Sequence, residues 1–285
     1  MAFLPLNSYF AKNIYFYSMT AYREYFPTKA FRIAEMRLSS VLGKERDRLD
    51  SLAASLGREC AIGPDNLVEQ LPLIRNFTRE YHRLFSEYLD AVLPQQPRPI
   101  QCRPACGNCC HHYPMSVEPF ELLTLYGDLR GRTDLLDIME ACQVRSSLFS
   151  KFFEDRRVEA EAKQAEGDSS CKMDVDDEAE DKALHDYFSA WNPCPFSDKK
   201  GDCTVYPLRP VSCRMYFSET DPKFCTPEHL QTPENDSYIV YLPDAIEDAV
   251  YGISEHYSLL ELPESYFGGL LAVNKFEGLM GGVAV

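Results

Sequence analysis

QCRPACGNCCHH, residues 101–112, and CPFSDKKGDCTVYPLRPVSCRMYFSETDPKFC, residues 194–225, together hold eight of the 11 cysteines in this 285-residue chain. Cys102, Cys106, Cys109 and Cys110 crowd into one short run, which neither helical nor strand periodicity could place on a single buried face. Packing therefore does not explain them. Two thiolates about 4 Å apart repel by about 4 kcal/mol at an effective dielectric of about 20, so a gathered set stays protonated or separates unless a cation joins it. A structural zinc ion contributes about 10 to 16 kcal/mol to such a site, and iron clusters also take cysteine ligands. Joining the two windows closes a loop of about 90 residues, which costs about 4 kcal/mol in chain entropy and is well covered by that binding. Gly107 lies inside the C-x2-C turn from Cys106 to Cys109, where it can take the positive φ of a tight ligand turn. The second window lies in a stretch, 191–225, with five prolines and little periodicity, and reads as irregular structure held from outside.

Outward from the windows the patterns are helical. Residues 71–93 carry Ile74, Phe77, Tyr81, Leu84, Tyr88 and Val92 at steps of three and four, one apolar stripe that Pro94 stops. A looser helical spacing covers 31–56. The run SVEPFELLTLYGDL has helix start signals, and Leu135, Ile138, Met139, Cys142, Phe149 and Phe152 share one face of a longer helix that Arg145 interrupts. From Glu154 to Lys182 there are twelve acidic and five basic residues, predicting a solvated helix or a mobile insertion. An EF-hand loop starting at Asp174 is excluded, because Ala179 stands where glycine is required and His185 where a bidentate Glu is required. A further helix is expected from Pro243, and YIVYL at 238–242 is the best strand signal. The tail, with Gly268, Gly269, Gly278, Gly281 and Gly282, carries no assignment. The expected fold is mainly α: a helical protein with two irregular cysteine-rich loops forming a metal site. The expected organisation is a helical N-terminal region, 1–98, and a cysteine-cluster domain, 99–285, with an acidic insertion at 154–182.

The chain has 29 Lys plus Arg against 44 Asp plus Glu, a net charge of −15. Such a surface repels phosphate backbones and anionic lipid, so neither nucleic acid nor membrane is an expected partner. No uncharged apolar run reaches the length of a bilayer span, and the N-terminus lacks the features of a signal peptide, so a cytoplasmic location is expected. Cysteine clusters in that compartment bind metal more often than they form disulfides.

Other residues divide into those with a role near the metal and those without. Arg209 and Arg214 flank Cys213 and are expected to donate to sulfur and offset its charge, the alternative being ion pairs with the many acids. Pro210 can open a short helix whose first turn holds Cys213. His111 and His112 could replace a thiolate, although an exposed histidine beside a loop is the commoner case. Cys60, Cys142 and Cys171 are expected to be small buried hydrophobes. Trp191, Tyr206, Tyr216 and Phe217 are expected to shield the site. Ser-His-Asp sets, phosphate-binding loops, dinucleotide-binding glycines and HExxH are absent.

The combination CGNCC, then CPF, then CTVYPLRPVSCRMY resembles the YkgJ-type cysteine-cluster proteins, whose domain is described as zinc- or iron-chelating. The resemblance covers about residues 100–230. It implies a metal or iron–sulfur site on Cys102, Cys106, Cys109, Cys110, Cys194, Cys203 and Cys213, with Cys225 the eighth ligand. The first cysteine pair is spaced by three residues where two is also common in the family. The cysteine region is also similar to that of flagellin lysine N-methylases, which implies methyl transfer or redox chemistry by analogy. Cys102, Cys106 and Cys109 match the C-x3-C-x2-C of radical enzymes that use S-adenosylmethionine, but the βα repeats of that barrel are missing.

Three functions follow as expectations. The protein holds an iron–sulfur cluster with a redox or methyl-transfer role, or it is a structural zinc module presenting an interaction surface to a protein partner, or it is a carrier or chelator that delivers metal. Two closed four-thiolate sites favour structure, and one cluster with cysteines left over favours chemistry or transfer.

Overall fold

The computed structural model describes residues 23–24, 67–95, 98–103, 105–165, 174–230, 232–240, 262–263 and 265–280, and the architecture below is that of these residues. The expected helices over 31–56 and from Pro243, together with Cys60 and Cys171, lie outside them.

The described part is mainly helical, as expected. Helix α1, Leu67–Val92, buries the whole predicted stripe from Ile74 to Val92. Pro72 lies in its second turn, where its missing N–H forfeits one bond of the helical ladder, and the helix runs on past it through its buried stripe. Helix α2, Pro119–Leu129, begins after Glu118 with Pro119 in its first turn, and Glu121 reaches back to the Glu118 N–H at 3.3 Å. The two helices meet through Phe120, whose ring lies edge-on to Phe77 at 4.8 Å and Tyr81 at 5.3 Å. Beside that contact Thr78 and Thr124 share a buried hydroxyl hydrogen bond of 2.7 Å.

Helix α3, Leu135–Ala165, and helix α4, Val175–Ser189, form an antiparallel pair that takes in most of the acidic stretch. Charge arrangement explains why so acidic a segment stays helical. Asp176, Asp177 and Glu178 occupy the first turn of α4, where the helix dipole favours anions, and Asp174 caps it by accepting the Asp176 N–H at 2.9 Å. Arg156 joins Glu159 at 2.8 Å on its own helix and Asp186 at 2.6 Å on the facing one. Ala160, Ala179 and Ala183 are buried, so the helices pack closely through small side chains. The arms of the expected insertion are therefore built into the fold. Tyr113 fastens the pair to the core, stacking on Phe149 at 4.1 Å and meeting Tyr187 edge-on at 5.0 Å.

The glycine-containing tail forms a helix, α5, Tyr266–Met280. A side chain at Gly269 would put its Cβ 2.3 Å from Leu122 Cδ1, so the absence of one lets α5 approach α2. Burial against α2 and α3 outweighs the helix-breaking propensity that made the tail unreadable. Three short strands complete the structure in the order β1-β3-β2. β1, Arg23–Glu24, runs parallel to β3, Ser237–Ile239, and β2, Tyr216–Ser218, runs antiparallel to β3. The expected strand at 238–242 is thus present over its first residues. No described helix is long and apolar enough to cross a membrane.

Candidate metal centre

The two cysteine windows form loops of short 3-10 turns, and Cys194, Cys203 and Cys213 pack against the core. In the first, Gly107 has φ 68°, the left-handed conformation expected of it, and leads into a 3-10 turn, Asn108–His111. Gly201 of the second window, at φ 85°, lies so close that a Cβ there would stand 3.1 Å from the Ala105 carbonyl. The loops are tied together further by Asn108, which donates to the Pro222 carbonyl, and by Gln101, whose N–H reaches the Ser218 carbonyl at 2.8 Å.

The sulfurs fall into two neighbourhoods that share one member. Burial pushes the Cys102 thiol up to about 12, and Cys106, Cys109 and Cys225 add to that rise. Cys106 is raised by burial, with Cys109 and Cys225 again adding. On the other side, burial raises Cys213 well above its ordinary value, with Cys194, Cys109 and Cys203 contributing. Cys194 is pushed up to about 12 by burial and feels Cys203, while Cys203, raised by burial, feels Cys109. Cys109 thus influences both groups. Its own thiol is raised first by a hydrogen bond to Cys110, so the vicinal pair stands where the two neighbourhoods join.

The surroundings suit thiolates. Cys102 Sγ accepts the Ser218 N–H at 3.2 Å, and Cys194 Sγ accepts the Phe196 N–H at 3.5 Å. Cys106 and Cys203 likewise receive the N–H groups of Asn108 and Val205, so three sulfurs accept from the residue two positions onward. Backbone donors of this kind stabilise negative sulfur. Arg209 supplies positive charge, opposing the rise at Cys109, Cys203 and Cys213. Its guanidinium lies 4.2 Å over the Tyr206 ring, and its buried Nε has no hydrogen-bond partner. Arg214 acts one layer out: it donates to the carbonyls of Arg209 at 2.8 Å and Pro207 at 3.0 Å, and so fixes the loop that carries Arg209.

The turn holding Cys213 is placed by α2. Pro210 precedes the 3-10 turn Val211–Cys213, as expected, and the Val211 N–H donates to Glu121 Oε1 at 2.9 Å. That carboxylate is buried and also stands 2.7 Å from His82 Nε2 of α1. Sequence patterning marks Glu121 only as an early helix acid. Its central position depends on a contact 90 residues away.

His111 and His112 are held in aromatic stacks. His111 lies 3.8 Å from Trp191, face to face, and His112 lies between Phe188 at 4.0 Å and Tyr216 at 5.1 Å. Burial lowers His112 to about 3, which keeps it neutral. Of the expected shielding residues, Trp191 and Tyr216 serve these stacks, whereas Tyr206 is 52% exposed under Arg209. Cys142 is fully buried on α3, as its apolar face predicted, and burial pushes its thiol up to about 12.

All nine described cysteines are free thiols. Among the described residues no three His, Cys, Asp or Glu side chains close to the spacing of a metal site. The thiols are gathered but not clamped. The donor set nevertheless fits zinc or iron, which prefer sulfur, over magnesium or calcium, which prefer oxygen. Buried polar atoms without partners, Arg209 Nε, Ser212 Oγ beside Cys213 and the Tyr266 hydroxyl, mark the same region as one that a bound group would complete.

The raised thiols predict a pH dependence for the metal-free protein. Burial moves the Cys194 thiol from its ordinary value of 9.0 up to about 12 in the folded chain. Between those values the unfolded chain binds fewer protons than the folded one, so stability is intact below about pH 9 and falls as pH rises toward 12. Urea denaturation under reducing conditions should show a lower midpoint at about pH 10.5 than at about pH 8. An unchanged midpoint would contradict the packing of the Cys194 sulfur against the core.

No curated protein and no solved structure matches the chain. Residues 101–235, the segment that carries both thiol neighbourhoods, match the model of the CxxCxxCC family, described as "Putative zinc- or iron-chelating domain".

Proposed function

We propose that the protein chelates zinc or iron in two adjacent thiolate sets built from Cys102, Cys106, Cys109 and Cys225 on one side and Cys110, Cys194, Cys203 and Cys213 on the other. The observation that supports this most is the mutual influence of Cys102, Cys106, Cys109 and Cys225, and of Cys194, Cys203 and Cys213, across two remote loops, with Cys109 felt from both sides. Bound metal would supply the positive charge that lets the thiols ionise together. The chain's own part is to hold the sulfurs with backbone N–H donors, to oppose their charge with Arg209, and to keep water away with Phe196, Val205 and Val211, all buried.

Two complete sets favour a centre that holds its metal over one that reacts at an open position. An interaction module or an electron-transfer protein fits that arrangement better than a methyl-transfer enzyme or a carrier that must release its load. The surrounding sulfur ligands and N–H donors serve an iron–sulfur cluster equally well, and in that case the function is redox.

Elemental analysis of protein purified without oxygen tests both levels. Brown protein with iron and acid-labile sulfide supports the cluster, and colourless protein with tightly held zinc supports the structural reading. Cys102→Ser and Cys194→Ser should each lose the metal of their own set, while Cys142→Ala keeps both. Equal metal in all three variants would overturn the assignment.

A further inference from the structure

Tyr266 opens α5, far from both cysteine windows in sequence, and is only 2% exposed. Its backbone N–H donates to the Pro114 carbonyl at 3.0 Å, just beyond the first window. Its ring lies 5.4 Å from that of Phe196, the residue whose N–H donates to Cys194. The position is therefore fixed by two contacts, each next to the metal-binding loops. Cys194, Cys203 and Cys213 all pack against the core cluster to which Tyr266 belongs. In this setting its hydroxyl is buried with no hydrogen-bond partner.

A buried phenol O–H without an acceptor is costly, and the sulfurs of Cys194, Cys203 and Cys213 pack against the same core cluster as its ring. As neutral thiols they are weak acceptors. As metal-bound thiolates they are charged and become good ones. We propose that the Tyr266 hydroxyl donates its one hydrogen bond to a thiolate of the second set, among Cys194, Cys203 and Cys213, once they hold metal, fastening α5 to that set and governing how firmly its metal is kept. The inference rests on the two-set reading above and assigns to that site a positioning residue outside the matched segment. The charge of Cys213, Cys194 and Cys203 acting on the phenol, after burial, agrees with this placement.

The sign of the effect differs between the two states of the protein. Tyr266→Phe keeps the ring and its packing and removes only the hydroxyl. In metal-free protein this relieves an unpartnered buried group, so the variant should unfold at no lower denaturant concentration than the wild type. With metal bound it removes a donor to a ligand sulfur, a change that typically weakens metal affinity by about 10- to 100-fold. A merely structural tyrosine would weaken both states alike.

The test uses the full chain carrying Cys102→Ser, which isolates the second set, with and without Tyr266→Phe. Zinc affinity is measured by competition with a chromophoric chelator, and cobalt(II) reports ligand geometry through its sulfur charge-transfer absorption. Support would be full zinc occupancy at saturation, affinity lower by about 10- to 100-fold, a shifted cobalt band and undiminished metal-free stability. Unchanged affinity and an unchanged band would overturn the role of Tyr266 alone. Loss of occupancy even at saturating zinc would overturn it in favour of the oxygen as a direct ligand. A parent protein that takes up no zinc and no cobalt would instead overturn the chelation on which the inference rests.

Discussion

Cys109→Ser is expected to empty the first thiolate set and to weaken the second, an effect on both that no other single cysteine should have. The thiol of Cys109 acts on Cys102 and Cys106 in one neighbourhood and on Cys203 and Cys213 in the other. A serine hydroxyl does not ionise near neutral pH and is a harder, poorer ligand for zinc or iron. The first set would keep three thiolates. The second would keep its own cysteines, but would lose the neighbouring sulfur that acts on Cys203 and Cys213. A bound structural ion contributes about 10 to 16 kcal/mol, so losing most of that from the first set should also loosen residues 101–112. Metal per chain after dialysis against a weak chelator and hydrogen exchange over the two loops would measure the outcome. Loss no greater than in Cys102→Ser would show that Cys109 serves one set only and would remove the shared member from the proposal.

The comparison with Cys110→Ser sharpens that result. The hydrogen bond between the vicinal thiols places Cys110 next to the shared sulfur, and the proposal gives Cys110 to the second set as its fourth ligand. Its replacement should therefore empty the second set and spare the first. Spacing alone could not divide the labour between adjacent cysteines, because a tight turn can aim neighbouring side chains in either direction.

Much of the scaffold was legible because apolar periodicity and burial coincide. The stripe from Ile74 to Val92 and the face from Ile138 to Phe149 became the buried sides of α1 and α3. The tail was not legible, since Gly268 and Gly269 read as breakers until Leu122 is found occupying the space a Cβ would need. The acidic stretch was legible in composition but not in role. Its first-turn acids and the Arg156 pairs stabilise helices that close on buried alanines, and alanine carries little pattern of its own. In the site, the cysteines announced themselves by crowding, and Arg209 by its place in the second window. The grouping of Cys225 with the first window, and the approach of Tyr266 to the second set, depend on contacts between remote segments that no local pattern encodes.

Glu121→Ala is expected to cost about 3 to 5 kcal/mol of stability in the metal-free protein, as leaving several buried polar groups without their partner commonly does. The carboxylate receives the Val211 N–H at 2.9 Å and the Glu118 N–H at 3.3 Å, and it meets His82 at 2.7 Å. Alanine leaves those groups without their acceptor in a site that is almost dry, each at about 1 to 3 kcal/mol. Glu121→Gln keeps one carbonyl oxygen near Val211 and should lose less. The damage should not be uniform. Val211 opens the turn that carries Cys213, so zinc affinity should fall at the second set and hold at the first, which Glu121 does not touch. Saturating zinc should in turn restore part of the lost stability, because an ion that binds only the folded chain shifts the unfolding equilibrium by mass action. Urea denaturation with and without zinc measures all three quantities. A Glu121→Ala protein within about 1 kcal/mol of wild type, or one that weakens both sets equally, would contradict the view that this buried carboxylate positions the second loop for metal.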